Sequence, residues 1–229
     1  MFNSKLKNEA ISKLEVACKR YENRSKRVID LAEDLHVLRI NTSELILGEV
    51  ENYINALANT PKEFDRTISE YRVEFESFSG VITQAKSVGP NATLATRIGL
   101  GILGVRLSGL SGLGVVGLAT PVGLIIGAGA LLTAGLMTNS KNKKIAQEAD
   151  AQRKSVLKQD AVLKVAETEL NHLLDLTIKH TSGVEELLTS LCESAPMNYQ
   201  TFSEENKEEL GSLINHIHSL SALLNKRID

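Results

Sequence analysis

The chain has 229 residues, with 26 Lys and Arg against 28 Asp and Glu, a net charge of −2 and no tryptophan. A balance this close to neutral gives no bulk attraction to nucleic acid, which is not expected as a partner. Cys18 and Cys192 are too few and too far apart to read as a disulfide framework or metal site, and both fall on apolar helix positions as buried thiols. The opening residues, MFNSKLKNEA, contain no apolar h-region, so no cleavable secretory signal is expected.

From Ser4 to about Leu47 there is neither glycine nor proline. Leu14, Tyr21, Val28 and Leu35 recur at seven, and Ala17, Leu31, Leu38 and Leu45 fall on the same seam, with Arg24 as an interruption. This a/d pattern predicts a coiled-coil-like helix of roughly 60 Å or more. Gly48 is a weak point before the helix resumes through Leu57. Asn59-Thr60-Pro61 ends it, because the residue before proline avoids the α region. The next helix carries Phe64, Ile68, Tyr71, Phe75, Phe78 and Ile82 in steps of four and three, an aromatic stripe expected in a bundle core. Gly89-Pro90-Asn91 then breaks the helix as a turn or hinge.

The central stretch, Ile98 to Ser140, holds eleven of the sixteen glycines, and Arg106 is its only charged residue. From Leu107 to Ser140, 34 residues pass without an ionisable group. About 18 apolar residues already suffice to cross a bilayer, so there is room for two short passes, with a single tilted span from Leu107 to Met137 as the alternative. Thr120-Pro121 sits where a turn is needed, and Pro121 suits the first turn of a second helix. Gly104, Ser108 and Gly112 follow at steps of four, as do Ala119, Gly123 and Gly127. Each set places a small-residue groove on one helix face, the device by which helices pack in lipid. Lys141, Lys143 and Lys144 follow the stretch, and Lys86 and Arg97 precede it. Basic flanks favour anionic headgroups and place both ends of a hairpin on one side.

Beyond the stretch, Val156, Leu163, Leu170, Thr177, Val184 and Leu191 share one heptad position, with Ala166, Leu173, His180 and Leu187 on the second. One long helix is expected to Ser194, kinked at Ser182-Gly183 and closed by Ala195-Pro196. A last helix opens near Ser203, where Thr201 and Glu204 fit a capping box. It carries Leu210, Leu213, Ile217, Leu220 and Leu224 as an a/d seam. The fold class is therefore all-α: an elongated bundle of long heptad helices with a central apolar Gly/Ala-rich helical hairpin. Three segments follow: residues 1–91, the hairpin at 92–140, and residues 141–229.

No catalytic, cofactor or metal set emerges. The chain lacks a GxxxxGK[ST] loop and an HExxH. His216 and His218 point to different faces of one helix. His36, His172 and His180 read as surface or seam residues, and Glu185-Glu186 and Glu204-Glu205 as solvated positions. The chain is not expected to be an enzyme.

The layout of long heptad helices, an apolar mid-chain hairpin and further long helices resembles the α-helical pore-forming toxins of the cytolysin A type, including haemolytic enterotoxin components. It also looks, in layout, like apolipoprotein-L-type channel proteins. The first resemblance implies a soluble bundle whose apolar hairpin, residues 98–138 here, inserts and oligomerises into a pore. The expected partners are a lipid membrane and further copies of the chain or related helical subunits. The expected location is membrane-associated after soluble synthesis in the cytoplasm. The alternative expectation is a membrane-anchored coiled-coil scaffold that permeabilises nothing.

Overall fold

Runs without glycine or proline become long helices. The computed structural model describes residues 2–86 and 139–226. Helix α1 spans Phe2–Leu45, passes into a π-helical turn at Ile46–Val50 and resumes as α2, Glu51–Ala56. The weak point at Gly48 is thus the centre of a π turn. Helix α3 spans Lys62–Lys86 and α4 spans Asn139–Ser194. A 3-10 turn at Tyr199–Thr201 precedes α5, Glu204–Leu224. Among the described residues there is no strand, and the fold is an all-α bundle.

Pairings between helices give their directions. Arg24 bonds the Asp160 carbonyl, Arg27 bonds Glu167 and Thr42 bonds Thr181, so α1 and α4 run parallel. Ser43 meets Tyr71 and His36 meets Phe78, so α3 returns antiparallel to α1. Ser190 bonds Glu209 and His180 bonds His216, so α5 returns along α4.

Two cores result. In the first, Leu14, Tyr21 and Val28 of α1 meet Val156, Leu163 and Leu170 of α4, forming a two-helix rod. In the second, α1's end, α2, α3, α4 and α5 enclose Ile46, Tyr71, Phe78, Leu191, Leu213 and Ile217. The four-helix end is closed by its loops. Ala58 N–H donates to the Met197 carbonyl at 3.0 Å, and Tyr199 N–H donates to the Ala58 carbonyl at 2.9 Å. Asn59 holds the left-handed φ of 59° that this turn needs, a conformation asparagine tolerates.

The predicted seams hold best in α4 and α5. Val156, Leu163, Leu170, Thr177, Val184 and Leu191 are all buried, as are the five seam residues of α5. Along α3, Phe64, Ile68, Tyr71 and Phe78 are buried. In α1 one set is displaced. Leu31, Leu38 and Leu45 are only half-buried, and their neighbours Ala32, Arg39 and Ile46 take the interior positions. A straight helix of 3.6 residues per turn drifts against a seven-residue repeat, so the buried strip moves on by one residue after Val28.

Two smaller expectations are corrected. The cap of α5 is Ser203, whose Oγ accepts from the Asn206 N–H, in place of Thr201 with Glu204. Cys18 is buried but Cys192 is exposed. Helix α4 is a single element through Ser182-Gly183.

Candidate functional site

The expected insertion residues Gly104, Ser108, Gly112, Ala119, Pro121, Gly123 and Gly127 lie outside the described residues, as do Arg97 and Gly89-Pro90-Asn91. Among the described residues no helix is long and apolar enough to cross a membrane. The helices on either side are described. Antiparallel α3 runs toward the end of the molecule where α1 begins, and parallel α4 starts there. Helix α3 therefore leaves toward the end from which α4 returns, with Lys86 abreast of about Val28 of α1 and the start of α4 further on, beside the first turns of α1. Lys143 and Lys144 are exposed on the first turns of α4, and Lys141 belongs to the same turn.

Polar groups also gather inside the four-helix end. Arg39 is buried at 1 % exposure, where α1 crosses the last turn of α5. Its Nη2 donates to the Leu223 carbonyl at 2.6 Å, and its guanidinium lies 5.9 Å from the Phe78 ring centroid. The carbonyl end of a helix carries partial negative charge, which favours a cation there. Burial pulls the guanidinium down to about 10, still charged at neutral pH. Tyr71 bonds Ser43 at 2.9 Å, and burial pushes its phenol up to about 12. Thr42 and Thr177 join Arg39 and Tyr71 around a void of about 10 Å³, the size of one water. The hydrophobic pattern gave no sign of Arg39, because a lone arginine between leucines reads as a solvated position.

Four of the five histidines sit at helix contacts. His180 Nδ1 and His216 Nδ1 are 3.1 Å apart with their rings edge to face, so one ring donates and the other accepts. His216 packs onto Gly183, where an added Cβ would lie 2.3 Å from its Cε1. Close approach of the two helices is what this glycine permits. His218 Nε2 meets Thr67 Oγ1 at 3.2 Å on α3, and His36 stacks against Phe78. Burial first, then His216 and Lys179, hold His180 below the usual imidazole range. Beside the pair an open groove of about 700 Å³ runs between α4 and α5, with Lys179, Glu186 and Glu209 as its charged residues. Among the described residues no three His, Cys, Asp or Glu side chains converge as metal ligands.

A third polar set lies across the rod. Asp160, 2 % exposed, takes Arg20 Nε at 2.8 Å and Arg24 Nη1 at 3.1 Å. Glu167 takes Arg24 Nε at 3.1 Å and Arg27 Nε at 2.7 Å. The Arg27 hydrogen bond is the main reason Glu167 lies below the usual carboxylate range. Arg24, the interruption in the α1 heptads, thus meets an acid at the facing seam. Such a cross-seam pair fixes register and direction.

No protein-family model, no curated protein and no solved structure matches the chain. Fold and site define a class of architecture: an elongated helical bundle in which a parallel two-helix rod grows out of a four-helix end.

Proposed function

We propose that the chain is a membrane-active helical protein that inserts the apolar hairpin at 98–138 and oligomerises to form a pore or lesion. The observation that carries this reading is the 34-residue run without an ionisable group, which follows a helix leaving toward the end of the bundle from which α4 returns. A hairpin entered and left from one side suits that arrangement, and the basic Lys143 and Lys144 sit at its return. Gly104, Ser108 and Gly112, with Ala119, Gly123 and Gly127, supply the close-packing faces for assembly.

Dye release from liposomes, with flotation of the same samples, tests the proposal. Release with co-flotation is expected, and Gly112→Leu with Gly123→Leu should remove most of the release while leaving flotation intact. Absence of both sinks the proposal. Flotation without release would favour the anchored scaffold, a reading supported by apolar Val16 and Val165 standing 67 % and 52 % exposed on the rod as partner contacts.

A further inference from the structure

The net charge of −2 conceals a sorted distribution. Residues 1–35 hold eight Lys and Arg against six Asp and Glu, and residues 139–173 hold seven against five. These segments are remote in sequence, but the parallel α1–α4 pairing lays them side by side as the rod. The other end has the opposite sign. Residues 36–86 carry eight acidic side chains against five basic, and residues 174–226 carry eight against three. Ion pairing within the rod leaves much of its positive charge facing water. Asp160 and Glu167 are occupied by Arg20, Arg24 and Arg27, Glu9 by Lys13, and Asp150 by Arg153. Lys19, Lys26, Lys154, Lys158 and Lys164 are exposed, and none of them joins an ion pair among the described residues. Glu15, Glu22, Asp30, Glu33, Asp34, Glu148 and Glu169 oppose them and leave a net excess of four positive charges on the rod.

We infer that the α1–α4 rod is an electrostatic docking surface for anionic lipid headgroups, and that the acidic four-helix end orients the molecule by being repelled from the same leaflet. Lipid is chosen over other polyanions because α3 leaves for the apolar segment toward the rod and α4 begins the rod on its return, so this choice rests on the membrane reading above. Lysines spread along the rod act together over a surface whose potential extends about 10 Å at 0.1 M salt.

The test is sedimentation of the full-length protein with phosphatidylcholine vesicles, with and without phosphatidylglycerol. The variant Lys19→Glu, Lys26→Glu, Lys154→Glu, Lys158→Glu should bind the anionic vesicles at least about 100-fold more weakly than wild type. Glutamine at the same four positions should give a smaller loss, and Lys62→Glu with Arg66→Glu at the acidic end should give none. Salt near 1 M, where screening shortens to about 3 Å, should abolish the wild-type preference for phosphatidylglycerol. Equal wild-type binding to both vesicle types would overturn the inference, as would an unaffected four-lysine variant. Either result would leave insertion to be judged by release from neutral vesicles. Capture of duplex DNA, with no preference for anionic vesicles, would overturn the lipid assignment in favour of nucleic acid.

Discussion

The rod and the four-helix end bury similar apolar residues in different surroundings. In the rod, Leu14 and Leu163 lie in a seam between two helices, flanked by half-buried Ile11 and Leu157. At the other end, Leu213 and Ile217 are enclosed by elements on all sides. The rod uses charges across its seam, Arg24 to Asp160 and Glu167, to set its register. The four-helix end uses neutral or singly charged groups: hydroxyls of Thr42, Ser43 and Tyr71, one arginine on a helix end, and a histidine pair. A two-helix seam leaves long side chains a path to water, whereas an enclosed core leaves only short polar groups and backbone carbonyls as partners.

Truncation should expose that difference most strongly. Leu213→Ala should cost about 4 kcal/mol in urea denaturation, because its surroundings cannot collapse, while Leu14→Ala should cost about 2 kcal/mol. Equal losses would mean that the two seams are equally rigid. Next comes Asp160→Ala, which leaves Arg24 with Glu167 and the backbone carbonyl of residue 160 as its acceptors and should cost about 3 kcal/mol. Hydrogen exchange should place that loss in the rod; loss of protection in α5 instead would contradict the division into two cores.

The smallest effect is a two-step response to acid. His180 has a folded pKa below its ordinary 6.5, so the unfolded chain binds more protons as the pH falls through that range. Stability of the four-helix end should therefore decline below about pH 6.5 and level off beneath the folded value. Glu167 is depressed from 4.5, so its contribution to the rod is present above that pH and is lost as pH falls through its folded value. Urea titrations monitored at α5 and at α1 should separate the steps. His180→Gln should flatten only the first and Arg27→Gln only the second.

Hydrophobic spacing foretold what hydrophobic spacing controls. Phe64, Ile68, Tyr71 and Phe78 of α3, the seam of α5 and the α4 repeat from Val156 to Leu191 all point inward. In α1 the same logic misplaced Leu31, Leu38 and Leu45 by one residue, because the strip follows 3.6 and not 3.5 residues per turn. Arg39, the Gly183–His216 contact and the Arg24–Asp160 pair depend on which helix lies opposite, which no single helix encodes. The sorted charge was equally hidden, since it appears only when residues 1–35 and 139–173 become neighbours. The residues expected to form a hairpin, from Gly104 to Gly127, fall outside the described part of the chain.

The separation of α1 from α4 also bears on synthesis. Their paired residues stand 136 to 140 positions apart. At about 5–20 residues per second, roughly 7–27 s pass between the emergence of Arg24 and that of its partner Asp160. Throughout that interval the nascent chain presents the seam of α1 with no α4 to cover it. A ribosome-bound chain halted before Asn139 should recruit chaperones or a membrane surface and be cleaved readily within α1. Protection of α1 before α4 has been made would require a different first partner.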